Sequence, residues 1–312
     1  MLALDGKLDS IDNITTKCEC FVSIIILCNA LVDNVNKIEE SIFHNKDLKD
    51  YEIIIIEYGL NGEKRIYSNK KRDLNDNIKV FFCESRNISK AYNLGANIST
   101  GKFLFFLNAD INLLDLEMNK IEKILNESND ECIIPVINDV SSGQKAYGGT
   151  FDKKLNYIWT TDKVINNKVL PLFKGVAFII KKSLFQAIGG FNEKFKAYGI
   201  EDHEFSIRLW TFGYKAIINE EIEVTLNTSL KPLKSYGTTE LDIIYNYLCL
   251  AYLHFNENNF CKILKLLKLK RKMPMALAMI STDYTLMTLR NEYIKAKKFD
   301  ENDFFKEFCI EF

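Results

Sequence analysis

Short runs of β-branched and aliphatic residues, each followed by polar residues, recur through the first third of the chain. Four runs have this pattern: residues 21–27, 51–57, 78–83 and 102–107. Each run fits a strand that is buried on both faces of a sheet. Apolar residues with helical spacing lie between the runs, near residues 35–43 and in residues 89–98. Strands that alternate with helices predict an α/β fold, with a mainly parallel sheet and helices on both faces.

The composition excludes several other classes of protein. The 312 residues carry 41 basic and 42 acidic side chains, and this balance argues against a general nucleic-acid binder. Hydrophobic residues make up 47% of the chain, so it can bury a large core. The eight cysteines show no disulfide framework, and no second ligand pair follows Cys18 and Cys20 to complete a zinc site.

The N-terminal residues predict the location of the protein. Residues 1–10 contain Asp5 and Asp9 and lack the basic start and apolar stretch of a secretory signal. The longest apolar runs are shorter than the roughly 20 residues that span a bilayer. We therefore expect a cytoplasmic protein.

The second half of the chain has a looser middle and a helical end. Residues 111–173 predict further sheet and loops, and residues 174–180 predict a strand. A short helix over residues 181–188 should stop at a glycine pair, and a second helix should open at residue 201. Beyond Leu241 the pattern is helical. We predict three segments: an N-terminal extension of residues 1–20, a sheet-bearing domain of residues 21–240 and a helical C-terminal region of residues 241–312.

Polar residues follow each of the four predicted strands. They are Cys28 and Asn29, then Glu57, then residues 84–87, then residues 108–110. In an open α/β sheet, ligands bind at the carboxyl ends of the strands, so these residues are the candidate site. No glycine-rich dinucleotide turn and no P-loop follows the first strand, which argues against both of those nucleotide-binding folds.

Four short motifs occur in order along residues 21–227. They are Asn-Leu-Gly at 93–95, Phe-Leu-Asn-Ala-Asp at 106–110, Gly-Gly-Phe at 189–191 and Gly-Ile-Glu-Asp at 199–202. In this order they resemble family 2 glycosyltransferases of the GT-A fold. Residues 175–215 are also similar to part of the polypeptide N-acetylgalactosaminyltransferases. The resemblance implies a Rossmann-like GT-A sheet and transfer of a sugar from a nucleoside diphosphate to a hydroxyl acceptor.

Asp110 is the candidate ligand for a divalent cation, Mn²⁺ or Mg²⁺. It follows a buried strand, which places its carboxylate on rigid backbone, and these cations prefer oxygen ligands. The resemblance implies that the cation stabilises negative charge on the departing diphosphate. The chain departs from the family at Asn108, where the family has Asp, and at residues 224–228, which lack the histidine of the family metal site. A turn that caps the next helix is the alternative role of Asn108 and Asp110.

Glu201 and Asp202 stand at the start of a predicted helix. The resemblance implies that Asp202 is a general base, which takes the acceptor proton in an inverting single displacement, while Glu201 orients the acceptor or its loop. Alternatively, two acids at a helix N-terminus only complement the helix dipole. The neighbouring His203 is predicted to lie on the surface of this helix. Arg208 and Trp210 are predicted to pack the helix rather than to contact substrate.

The resemblance also implies a site for a UDP-sugar donor at the strand ends. Its predicted residues are Cys28, Asn29, Glu57, Lys90, Asn93, Asn108, Ala109 and Gly175. Glu57 would accept a hydrogen bond from the imide N–H of uracil. Gly175 would bring the backbone close to the donor sugar, since a glycine otherwise weakens a strand.

Residues 262–272 carry six basic and no acidic side chains. As a helix, this segment predicts packing of its leucines on the helix expected at residues 243–255. The alternative is peripheral contact with an anionic membrane or an acidic acceptor.

Together these features predict a metal-assisted, inverting glycosyltransferase that uses a UDP-sugar donor and a carbohydrate, lipid-linked or peptide acceptor. Retention of configuration stays open, because the N-acetylgalactosaminyltransferases are retaining. A non-catalytic protein that binds nucleotide sugars or glycans is the alternative, motivated by Asn108 and the missing histidine. The pair Glu201 and Asp202 disfavours a nucleotidyltransferase.

Overall fold

The structure is a computed structural model, and it describes residues 20–29, 51–59, 77–162, 168–227 and 237–312, together with seven residues between 38 and 48. The N-terminal extension and the helix predicted near residues 35–43 lie wholly or partly outside these residues. The described strands form a ten-stranded sheet and a separate two-stranded hairpin. Their bounds are β1 Val22–Asn29, β2 Glu52–Gly59, β3 Ile78–Glu84, β4 Phe103–Asn108, β5 Ile111–Asn112, β6 Cys132–Asp139, β7 Gln144–Ala146, β8 Gly149–Phe151, β9 Tyr157–Trp159, β10 Val169–Leu170, β11 Ala177–Lys181 and β12 Ala216–Leu226.

Helices cover the sheet and make up the C-terminal region. Their bounds are α1 Ile88–Ile98, α2 Met118–Glu127, α3 Lys182–Ala187, α4 Glu201–Thr211, α5 Glu240–His254, α6 Glu257–Leu267, α7 Met273–Thr282, α8 Tyr284–Ala296 and α9 Glu301–Glu307. Every element described after residue 239 is helical, as the sequence predicts.

The main sheet has the strand order β10-β12-β6-β11-β4-β1-β2-β3, and β8 pairs with β9 in the hairpin. Strands β4, β1, β2 and β3 are parallel neighbours, whereas β11 runs antiparallel between β4 and β6. The register places Cys28 beside Glu57 and Leu27 beside Asn108. The polar carboxyl ends of β1, β2 and β4 therefore meet at one edge of the sheet.

Alternate residues of the central strands enter two separate apolar layers. Ile25 and Ile56 pack under α1, and Ile24 and Ile55 face the layer that α2 covers. An added Cβ on Gly95 of α1 would lie 2.5 Å from Ile25 Cγ2, so only glycine allows this close approach. Because helices cover both faces of the sheet, both sets of side chains on these strands are buried, and the strands are continuous apolar runs in the sequence. The predicted α/β fold is confirmed.

Two elements, α2 and β12, are not among the predicted ones. The α2 helix buries Met118, Ile121 and Leu125, a helical spacing that lies within the segment expected to be mostly sheet and loops. In β12 the pairing with β6 shifts register between Asn219 and Glu223. This irregularity interrupts the alternation of apolar and polar residues that would otherwise indicate a strand.

The C-terminal helices share one buried apolar layer with α1 and α4. Leu248, Leu250 and Phe304 belong to the same cluster as Ala91 and Phe205. The division of the chain at residue 240 stays a prediction.

The basic segment begins inside α6, which ends at Leu267. Ile263 is buried and Leu264 packs against the core, in agreement with packing of α6 on α5. Beyond the helix, Leu269 is 89% exposed. Contact of residues 262–272 with a membrane stays a prediction, and none of the described helices has the length and hydropathy to cross a bilayer.

Candidate active site

Predicted site residues from three strands, β1, β2 and β4, meet at the carboxyl ends of those strands. Cys28 and Glu57 are fully buried neighbours in the parallel register. Burial, together with the negative charges of Glu57 and Asp110, raises the pKa of the Cys28 thiol to about 12. The two carboxylates therefore lie close to the same thiol, which stays protonated. Asn29, half-buried, ends β1 beside them, and its carbonyl oxygen accepts from Cys28 Sγ at 3.8 Å.

A tight turn carries Asn108, Ala109 and Asp110. The N–H of Asp110 donates to Asn108 Oδ1 at 2.9 Å, and the N–H of Ala109 donates to the Leu27 carbonyl at 3.1 Å. The carbonyl of Asp110 accepts from the N–H of Asn227 at 3.0 Å. These bonds tie the turn to β1 and to the end of β12, so Asp110 sits on a rigid base.

Asp110 is suited to bind a divalent cation whose other ligands are substrate oxygens and water. In the described part of the chain, no group of three or more His, Cys, Asp or Glu side chains is placed to hold a metal ion. Mg²⁺ and Mn²⁺ commonly bind through one or two carboxylates together with phosphate oxygens and water. Asp110 can supply such a single carboxylate. The side-chain oxygen of Asn108 already accepts a hydrogen bond from the Asp110 N–H within the turn.

Gly175 joins the first helix to the fourth. Tyr92 of α1 donates its hydroxyl to the Gly175 carbonyl at 2.8 Å, and the Gly175 N–H donates to the carboxylate of Asp202. An added Cβ on Gly175 would lie 2.2 Å from Tyr92 Oη. The position therefore requires glycine because two elements meet there, a reason that differs from the predicted contact with a donor sugar.

Asp202 is buried and held by three donors. Lys174 Nζ lies 3.1 Å from its Oδ2, and the backbone N–H of His203 donates to its Oδ1 at 2.9 Å. The third donor is the N–H of Gly175. Burial alone would raise the pKa of Asp202, but the Lys174 ammonium and these hydrogen bonds hold it below its usual value. The carboxylate is therefore ionised at neutral pH.

Glu201, the other acid of the pair, has the opposite environment. It is buried, and it accepts the N–H of Gly199. Burial and the adjacent charge of Asp202 raise the pKa of Glu201. Neighbouring carboxyl groups whose pKa values are pushed apart can act in different roles, one charged and one neutral.

His203 is buried, at 3% exposure, so the prediction that it lies on the helix surface is wrong. Its ring stacks on Tyr157 with centroids 5.5 Å apart, and Lys174 Nζ lies 3.0 Å from its Nε2. Burial and the Lys174 charge lower the pKa of His203 to about 3, so the ring is neutral. The charged residues of α4 suggest an exposed helix, but α5 and α9 pack against it.

The backbone that leads into α4 is strained. Ala197 and Ile200 have φ values of 48° and 76°, and Gly199 has 108°. Asn246 of α5 secures this loop by donating to the carbonyls of Lys196 and Gly199, at 2.9 and 2.7 Å. Strained backbone of this kind persists where the surrounding structure holds it, often at functional sites. The C-terminal region thus positions the start of the candidate catalytic helix.

Arg208 lies in the interior, in agreement with the packing role predicted for it. Its guanidinium donates to the carbonyls of Ile188 and Gly190, both at 2.6 Å, and to Glu204 Oε2 at 3.0 Å. Glu204 Oε1 also lies 2.9 Å from His254 Nε2 in α5. This buried network links α3, α4 and α5.

Two predicted donor-site residues lie away from these contacts. Both hydrogens of the Asn93 amide have protein acceptors, the Phe191 carbonyl at 2.9 Å and Glu193 Oε1 at 2.8 Å. Lys90 is exposed on α1, and its charge acts on Cys83 at the end of β3. Donor contacts of Asn93 and Lys90 stay predictions.

Lys174 and Tyr157 also belong to this site, although neither is among the residues predicted from the sequence. Lys174 Nζ lies over the Tyr157 ring, 4.6 Å from its centroid. Lys174 could have been suspected from the sequence because it directly precedes Gly175, a predicted site residue, at the start of a predicted strand.

Comparison with family models agrees with this architecture. Residues 23–189 match the model described as glycosyl transferase family 2, which is more than half of the chain. Residues 167–227 match the model described as the N-terminal domain of galactosyltransferase. The second match contains Lys174, Gly175 and the whole of α4.

Curated relatives include polypeptide N-acetylgalactosaminyltransferases. The chain is 25% identical over 163 residues to polypeptide N-acetylgalactosaminyltransferase 8 of Drosophila melanogaster, covering 45% of this chain and 27% of that one. It is 27% identical over 153 residues to polypeptide N-acetylgalactosaminyltransferase 3 of Taeniopygia guttata, covering 42% and 24%. The chain thus spans about a quarter of the length of these relatives.

Solved structures share the fold at low sequence identity. The structure of GalNAc-T7 with UDP, GalNAc and Mn²⁺ superposes with a TM-score of 0.69 at 17% identity, covering 94% of this chain and 57% of that one. The S. aureus TarS 1-349 structure gives 0.52 at 14% identity, covering 89% and 81%. These likenesses show the GT-A fold, and with the match over residues 23–189 the chain belongs to glycosyl transferase family 2.

Proposed function

We propose that this protein transfers a sugar from a UDP-sugar to a hydroxyl group of an acceptor, with the help of a divalent cation. The observation that carries the proposal is a continuous chain of contacts from Asp110 to Asp202. The Asn108 N–H donates to the Val176 carbonyl at 2.8 Å, and Lys174, two residues before Val176, places its ammonium 3.1 Å from Asp202 Oδ2. A carboxylate for the cation and an ionised carboxylate for the acceptor are thereby attached to one rigid edge.

The donor would bind at the ends of β1 and β2. Glu57 is buried beside Cys28, where a carboxylate can accept the imide N–H of uracil. The presence of UDP and Mn²⁺ in the GalNAc-T7 structure supports the choice of a uridine donor. Asp110 would hold the cation, which when bound supplies positive charge to the diphosphate.

In the proposed step, the acceptor oxygen forms a bond to the anomeric carbon of the sugar. The bond from that carbon to the diphosphate oxygen breaks, and its electron pair leaves with the diphosphate. Asp202 takes the proton of the acceptor hydroxyl, and Glu201 orients its loop through Gly199. This single displacement inverts the configuration at the anomeric carbon.

Retention is the second candidate outcome, and the environment of Asp202 favours it. A general base works best with a pKa near the working pH, whereas Lys174 and the backbone donors lower the pKa of Asp202. In a retaining reaction, Asp202 would orient the acceptor instead of taking its proton. A carbohydrate, lipid-linked or peptide hydroxyl can serve in either case, and the polypeptide-modifying relatives support testing peptides first.

The test is a panel of UDP-sugars, with GDP-mannose as the control donor, incubated with Mn²⁺ and the purified protein. We expect metal-dependent release of UDP from at least one donor, and loss of UDP binding in Asp110→Asn. Asp202→Asn should retain UDP affinity but transfer about 10²–10⁴-fold more slowly if the residue acts as a base. Binding without turnover of any donor would favour the non-catalytic alternative, and NMR of the product would give its anomeric configuration.

A further inference from the structure

We propose that Lys174 is a positioning residue that holds the Asp202 carboxylate in the orientation that a substrate hydroxyl requires. The inference rests on the proposed function and deepens it. Lys174 Nζ lies 3.1 Å from Asp202 Oδ2, and the lysine side chain is 20% exposed. The ammonium therefore binds a carboxylate that is itself buried, at 5% side-chain exposure.

Asp202 is held through both of its carboxylate oxygens. Lys174 Nζ lies 3.1 Å from Oδ2 and 3.4 Å from Oδ1, and the His203 N–H donates to Oδ1 at 2.9 Å. The Gly175 N–H is a further donor. Because the ammonium contacts both oxygens and the other two donors are backbone groups, Lys174 and rigid backbone together set the orientation of the carboxylate.

His203 anchors the lysine from the other side. Its Nε2 lies 3.0 Å from Lys174 Nζ, and a neutral imidazole that accepts at Nε2 carries its hydrogen on Nδ1. That Nδ1 has no hydrogen-bond partner among the described residues. The Tyr157 ring lies 4.6 Å from the ammonium. Lys174 is therefore confined by a carboxylate, an imidazole and an aromatic ring, which limits its rotamers.

Among the described ionisable groups around Asp202, Lys174 is the one whose positive charge compensates the carboxylate. The other groups come from α1, β9, α4 and α5: Tyr92, Tyr157, Glu201, His203 and Tyr247. The three tyrosines and Glu201 add negative charge when ionised, and His203 is neutral. Among the described residues in contact with Asp202, Lys174 supplies the compensating cation, so its removal should raise the pKa of Asp202.

The first arm of the test compares wild type, Lys174→Met and Lys174→Arg in pH profiles of kcat/KM for the acceptor. In Lys174→Met the acid limb should move to higher pH. At pH values below the limb, activity should fall about tenfold for each unit of raised pKa, while activity at pH 8 should change little. The donor KM should change little. Lys174→Arg keeps the charge and should restore the wild-type limb.

Lys181→Met is the matched control. Lys181 is 25% exposed, lies 3.8 Å from Glu131 and sits at the opposite end of β11, beside Phe103. This variant removes a half-buried lysine of the same segment without touching Asp202. Its pH profile should match wild type, and a shifted limb in it would overturn the specific assignment to Lys174.

The second arm does not depend on activity. Long-range ¹H–¹⁵N NMR of the His203 ring, assigned with His203→Gln, should show the Nδ1–H form in wild type and titration at higher pH in Lys174→Met. An unchanged His203 signal in Lys174→Met overturns the proposal, as does an unshifted acid limb in an active enzyme. If wild type transfers no sugar, the proposed function fails while the NMR arm still decides whether Lys174 governs this cluster.

Discussion

Substitution of Gly175 by alanine should damage both stability and transfer. The new Cβ would lie 2.2 Å from Tyr92 Oη and 3.1 Å from Tyr92 Cζ. Tyr92 has little room to retreat, because its ring stacks on Phe191 at 4.2 Å and contacts Phe106 edge-on at 5.4 Å. Overpacking of this kind costs about 1–3 kcal/mol.

Displacement of Tyr92 would also break its hydrogen bond to the Gly175 carbonyl, currently 2.8 Å long. A typical intramolecular hydrogen bond contributes about 0.5–1.5 kcal/mol. We therefore expect Gly175→Ala to lower the free energy of unfolding by about 2–4 kcal/mol. Transfer should fall as well, since the Gly175 N–H orients Asp202.

The assay is urea unfolding of Gly175→Ala, Tyr92→Phe and the double variant. Tyr92→Phe removes the hydroxyl oxygen that clashes, so the alanine should cost less in that background, and the two changes should be non-additive by about 1 kcal/mol or more. Gly143→Ala is the control, because a Cβ there meets nothing within 4 Å and only its φ of 67° is unfavourable. Additive effects, or a cost of Gly175→Ala no larger than that of Gly143→Ala, would refute the packing argument.

Three further perturbations test the buried network, the histidines and the metal turn. Arg208→Met should lower the free energy of unfolding by about 3–5 kcal/mol, measured in urea, because Glu204 loses its buried cation; a loss below about 1 kcal/mol would contradict this. Burial lowers the pKa of His254 to about 4 and that of His203 to about 3, so the unfolded chain binds protons that the folded chain does not. Stability should therefore fall as the pH drops below about 6.5, by about 1.4 kcal/mol per unit for each histidine, and a urea series should show a smaller slope in His254→Gln. Asn108→Asp should tighten Mn²⁺ binding in the presence of UDP by calorimetry, and weaker binding would give Asn108 another role.

The positions of the candidate site residues along the chain could be predicted from local patterns. Apolar runs that are long enough for strands, with helices between them, place Cys28, Glu57 and Asp110 at strand ends, and parallel strands bring those ends to one edge. Gly189 and Gly190 end α3 with φ values of 86° and 63°, as a glycine stop predicts. These features depend on residues that are close in sequence, which is why the sequence alone determines them.

The contacts of the candidate site residues, in contrast, come from segments that are far apart in the chain. Lys174 reaches Asp202 across 28 positions, and Asn246 supports the loop before α4 from about 50 positions away. Neither contact has a periodicity or a turn signal in the sequence. The burial of His203 likewise depends on a distant segment, because Phe151 and Tyr157 of the β8–β9 hairpin pack their rings against it. Desolvation and the nearest charge set the protonation of Asp202, Glu201 and His203, and both are properties of the folded neighbourhood, so only the tertiary structure decided them.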